Sequence, residues 1–95
     1  MADSIMQDIK ECYLTGANNG LHKHHIYHGT ALRKISDKNG FWVWLRWDWH
    51  NGGDRGVHSK YGHELDTKLK RECQEKFEET HTRAEFMALI GRNYL

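Results

Sequence analysis

Seven consecutive residues, Phe41-Trp42-Val43-Trp44-Leu45-Arg46-Trp47, constrain the fold of this chain more than any other stretch. They are rich in aromatic and branched side chains and follow Asn39-Gly40, a turn signal, so they read as a strand. A second strand is expected over Leu21–Tyr27 (LHKHHIY), and the two pair as a hairpin-like unit. Between them Gly29 to Gly40 is polar, contains Arg33, Lys34 and Lys38, and reads as an irregular loop.

The remaining elements are helical. Ser4 through Cys12 is expected as a short helix, with Ser4 as cap and Gln7 three residues later completing a capping box; Thr15 to Gly20 is turn chemistry that ends it. Asn51-Gly52-Gly53-Asp54-Arg55-Gly56 reads as a flexible loop leading through Val57-His58 to a long helix. From about Glu64 to Glu79, Leu65, Leu69, Cys73 and Phe77 recur every fourth position and form one apolar stripe. Thr82 with Glu85 repeats the capping-box pattern before Phe86, Met87, Leu89 and Ile90, and Gly91 is placed to stop that last helix. The order helix, strand, strand, helix, helix describes one α+β domain over residues 1–95. A chain of 95 residues supports one small core, burying roughly 65% of the surface its unfolded form exposes.

Several function classes are disfavoured. No apolar run is long enough to span a bilayer, and MADSIMQDIKE lacks a basic start followed by an apolar stretch, so no membrane partner and a cytoplasmic location are expected. Cys12 and Cys73 are too few for a disulfide framework. A net charge of +1 gives no general basic field, so a nucleic-acid partner would require local positive charge or a bound metal ion.

The anomaly in composition is histidine: of eight, seven fall between His22 and His63, beside four tryptophans crowded between Trp42 and Trp49. His24 and His25 are adjacent on a strand, so their rings leave on opposite sides. That suits a division of labour in which one ring binds an ion and the other takes a proton from water. His50 follows the second strand and can approach His24; His58 could fold back across the Gly-rich loop as a further ligand. His22, His28, His63 and His81 are read as ordinary surface or hydrogen-bonded residues. Neither Cys-x-x-Cys nor His-Glu-x-x-His occurs.

The run His22-Lys23-His24-His25-Ile26, the basic loop, the strand ending Trp49-His50-Asn51, and Gly56-Val57-His58 together resemble the small phage-encoded HNH nucleases. The resemblance implies a ββα-metal core, a hairpin and a helix around one divalent ion, acting on DNA. It implies His24 as first metal ligand, His25 as general base and His50 as closing ligand, with His58 a further candidate ligand. Relatives often carry two Cys-x-x-Cys knuckles; here Cys12-Tyr13-Leu14-Thr15 and Arg46-Trp47-Asp48-Trp49 stand in their place, so no structural zinc is expected. Trp42, Trp44, Trp47 and Trp49 are then expected to form the core that replaces it. The family's middle Asn position holds Phe41, with Asn39 or Asn51 as substitutes.

The expected activity is a metal-dependent DNA endonuclease or nickase using magnesium, manganese, nickel or zinc, as monomer or homodimer. Imidazole ligands favour the transition ions; magnesium or manganese would need water or Asp54 in the shell. Lys23, Arg33, Lys34, Lys38, Arg46, Arg55 and Lys60 are candidates for DNA phosphate contact. The alternative is a catalytically weak or inactive HNH-fold module that binds DNA or a protein partner.

Overall fold

The two expected strands form and pair. In the computed structural model, which describes residues 2–47 and 62–95, β1 (Leu21–His25) runs antiparallel to β2 (Trp42–Arg46), with Leu21 opposite Arg46, His24 opposite Val43 and His25 opposite Trp42. Around this hairpin lie α1 (Thr30–Asn39), α2 (Gly62–Phe77) and α3 (Arg83–Ile90), giving a small α+β unit. Among the described residues, no helix is long and apolar enough to cross a membrane. His50, Asn51, Arg55 and His58, with Trp49, Asp54 and Lys60, lie outside the described residues.

Residues 30–39 are a helix, where an irregular loop was expected. Leu32, Ile35, Ser36 and Asn39 recur at helical spacing on its inner side, while Arg33, Lys34 and Lys38 form its exposed side. The charges that make the segment look like a loop are thus the solvent face of an amphipathic helix. Gly40 stops it at φ 75°, and its N–H returns to the Ser36 carbonyl. The fully buried Ser36 hydroxyl donates to the Tyr27 carbonyl at 2.7 Å, tying α1 to the segment that follows β1.

The expected helix over 4–12 does not form. Its capping residues instead satisfy the outer edge of β2. Ser4 Oγ donates to the Trp42 carbonyl, and Gln7 Oε1 accepts the Trp44 N–H at 2.8 Å. Tyr13 N–H donates to the Trp44 carbonyl at 2.8 Å, and Cys12 Sγ accepts the Arg46 N–H at 3.4 Å. An unpaired strand edge is costly to bury and prone to wrong pairing, so the competing demand of β2 outweighs a marginal helix. Where this strap crosses Gly40, a Cβ at that glycine would lie 2.1 Å from the Asp3 carbonyl oxygen. Gly40→Ala is therefore expected to destabilise the protein by more than about 1 kcal/mol, from clash and positive φ together, measurable as a lower urea midpoint.

The core lies on one face of the hairpin. Ile26, Tyr27, Phe41, Val43 and Leu45 pack with Leu69, Cys73 and Phe77 of α2 and with Phe86 and Ile90 of α3. The apolar stripe read from the sequence is the buried side of α2, with Leu65 at its margin. The capping box of α3 forms as expected, Thr82 and Glu85 bonding reciprocally, and Gly91 ends the helix at φ 82°. Buried Gln74 anchors the C-terminal segment by bonding Asn93 and the Tyr94 N–H, each at 2.8 Å.

The tryptophans do not build this core. Strand alternation places Trp42 and Trp44 on the opposite face, with Lys23 and His25. There they meet edge to face at 5.3 Å, and Trp42 Nε1 donates to the Ala2 carbonyl of the strap. Trp47 is half exposed, and Trp49 lies outside the described residues. The aromatic mass that fills the core is phenylalanine and tyrosine, and the buried Tyr27 hydroxyl donates to the Lys70 carbonyl at 2.7 Å.

Candidate functional site

β1 divides its histidines between the two faces of the hairpin. His24 is buried on the core side, at 2% exposure, and His25 is on the tryptophan side. His25 Nε2 lies 2.9 Å from Asp37 Oδ1, and Lys23 Nζ reaches the same oxygen at 2.5 Å. Lys23 and His25 are two apart on β1 and so point the same way, while Asp37 comes from the last turn of α1. The Lys23 ammonium also sits 4.5 Å from the centre of the Trp42 ring.

The hydrogen bond from Lys23, and then that from His25, hold the Asp37 carboxyl down at about 2, below its ordinary 3.8. A carboxyl depressed by folding contributes stability above its ordinary value and loses it as pH falls through the folded value. Asp37→Asn is therefore expected to flatten the dependence of Tm on pH between roughly pH 5 and pH 2, as thermal melts across that range would show.

On the other side, the His28 ring lies 6.3 Å from that of His24, and His28 Nε2 is 3.1 Å from Asp66 Oδ1 on α2. Asp66 Oδ2 pairs with Lys70 at 2.8 Å, one helical turn on. Burial raises the Asp66 carboxyl, but hydrogen bonds from Lys70 and His28 outweigh it and leave it below its usual range. His28, read from the sequence as a bystander, thus joins the hairpin to α2 beside His24.

Among the described residues, no group of three or more His, Cys, Asp and Glu side chains is arranged to hold a metal ion. Of the three expected ligands, only His24 lies within them. It fits a ligand role in chemistry and place: an imidazole whose Nε2 is shielded from water, on the side of the hairpin facing α2. The other expected ligands, His50 and His58, and the candidate Asn51 lie outside the described residues. Asn39 ends α1, and its Nδ2 donates to the Ile35 carbonyl at 2.9 Å.

Arg33 and Lys34 are exposed and, with Gly29 and Thr30, line an open cavity of about 440 Å³ at the start of α1. No side chain caps that helix end, and its first turn holds no acidic residue. Lys23 is held by Asp37, Arg46 is half-buried at the end of β2, and Lys38 is exposed on α1.

At Cys12-Tyr13-Leu14-Thr15, where no metal-binding knuckle was expected, the chain makes a tight loop. Cys12 N–H donates to the Ala17 carbonyl at 2.7 Å, and Gly16 N–H to that of Cys12 at 2.8 Å. Burial raises the Cys12 thiol, but hydrogen bonds from the Thr15 side chain and from the backbone of Arg46, Leu14 and Thr15 hold it below its usual value. Cys73, in the core, is pushed up to about 12 by burial.

Sequence reasoning missed Asp37 and Asp66. Asp66 stands four residues before Lys70 on a recognisable helix, a legible ion-pair spacing. Asp37 had no such signal while its segment read as a loop. No family model matches the chain, and no curated protein and no solved structure matches it either.

Proposed function

We propose that the chain is a metal-dependent DNA endonuclease or nickase of the HNH type. The observation that carries this reading is the split of two adjacent histidines on one strand: His24 shielded toward α2, and His25 on the opposite face with one ring nitrogen bonded to a carboxylate. A ligand and a base need those two environments. The hairpin with a long helix against its core face supports the same reading, since it supplies the elements of a ββα arrangement.

Hydrolysis of a phosphodiester needs an activated water on one side of phosphorus and a stabilised leaving oxygen on the other. His25 takes the proton from water, which requires a neutral ring. His24, with His50 and His58, would hold the divalent ion, which when bound offsets charge on a phosphate oxygen and the departing 3′-oxygen. Arg33 and Lys34 hold neighbouring phosphates of the strand, together with Arg55. Contacts of this kind position the backbone without reading sequence, so cutting is expected to show little sequence preference and to weaken steeply with salt.

The ligand assignment is tested by calorimetric titration of manganese or nickel into wild type and His24→Asn. At least a tenfold loss of affinity is expected for the variant, with plasmid cutting lost in parallel. Unchanged metal uptake by a folded His24→Asn protein would overturn the assignment.

A further inference from the structure

We propose that Asp37 is a positioning residue for His25, fixing the neutral ring with its proton on Nε2 and so making Nδ1 the atom that accepts a proton from water. The functional half of this inference rests on the nuclease reading above; the tautomer stands independently of it.

An ionised carboxylate has lone pairs and no proton, so the ring nitrogen 2.9 Å from Asp37 Oδ1 must donate. A neutral imidazole carries one N–H. With it committed at Nε2, the lone pair is left on Nδ1. The carboxylate is itself pinned: Lys23 Nζ bonds the same Oδ1, and that ammonium rests over the Trp42 ring at 4.5 Å. Lys23, His25 and Trp42 are held by strand pairing, His25 lying directly opposite Trp42. Asp37 is carried by a helix whose end is fixed at Gly40 and whose Ser36 is tied to Tyr27. The His25 ring is therefore oriented by groups from three elements.

Lys23 also settles the charge. Its ammonium offsets the Asp37 carboxylate at 2.5 Å, so the couple places little net negative charge beside the base. Asp37 touches neither phosphate nor water in this scheme and acts only through His25.

The test is long-range ¹H–¹⁵N correlation NMR on the full-length ¹⁵N-labelled protein without metal, which distinguishes the two neutral tautomers by nitrogen shift. Wild type is expected to show His25 with its proton on Nε2. Asp37→Ala is expected to show a mixture of both forms and to reduce the cutting rate roughly 10–100-fold, the scale that supporting carboxylates of histidines carry elsewhere. Asp37→Glu is expected to restore the wild-type tautomer in part.

A wild-type ring protonated on Nδ1, or an unchanged tautomer in folded Asp37→Ala, would overturn the proposal. If the tautomer behaves as expected while His25→Ala cuts as fast as wild type, the positioning pair stands and the assignment of His25 as base fails.

Discussion

Replacing His25 by alanine is expected to slow plasmid nicking by about 10²–10⁴-fold, the range a positioned general base supplies. Metal affinity and Tm should change little. His25 lies on the face opposite His24 and outside the apolar core, and its substitution leaves the Lys23–Asp37 pair in place. Steady-state nicking of supercoiled DNA, with metal titration and a thermal melt on the same preparation, checks all three. A variant that loses metal rather than cutting would exchange the roles given to the two adjacent histidines.

The second large effect is on the fold. Phe41 is fully buried and meets Tyr27, Phe77 and Phe86 at ring separations of 5.5, 5.4 and 6.3 Å. These partners come from just beyond β1, from α2 and from α3, so one side chain joins the hairpin to both C-terminal helices. Phe41→Ala is expected to cost about 3–5 kcal/mol, transfer and cavity terms together. Against a total of roughly 5–15 kcal/mol for a domain of this kind, that consumes much of the stability. Chemical denaturation followed by circular dichroism should show a much lower midpoint with a similar slope. Trp47→Ala, at a side chain half exposed beyond the core, should shift it far less.

Under the proposed nuclease reading, the place of a central Asn is thus held by a core aromatic, Phe41. Phe41 follows Gly40 directly, and its N–H joins that of Gly40 in bonding the Ser36 carbonyl, closing α1 onto β2. An amide side chain there would be buried among aromatic rings without a partner.

Elements whose own residues decide them were legible in the sequence. The Phe41–Trp47 run, the four-residue stripe of α2 and the Thr82–Glu85 box each carry a local signal that packing then reinforces. The two segments read wrongly failed for opposite reasons. Ser4 and Gln7 do bear a capping pattern, but the exposed edge of β2 captures both side chains, a demand set by residues about 40 positions away that local propensity does not register. Residues 30–39 have good helix formers, yet three basic side chains concealed a narrow apolar face.

The site shows the same division. Adjacent histidines on a strand already imply opposite faces, and the hairpin bears that out. The contacts that carboxylates make with His25 and His28 were not legible: that of Asp37 required α1 to be recognised as a helix, and that of Asp66, whose pairing with Lys70 could be read locally, required α2 to be placed against the hairpin.

The claim that a divalent ion and these histidines together cut DNA is tested most directly with the wild-type protein on supercoiled plasmid. Incubation with manganese, nickel, magnesium or zinc, each with and without chelator, is followed by separation of supercoiled, nicked and linear forms. Nicked or linear DNA is expected with at least one ion, abolished by the chelator. Intact plasmid with every ion, even where the protein binds the duplex tightly, would contradict it and leave a DNA-binding module without catalysis.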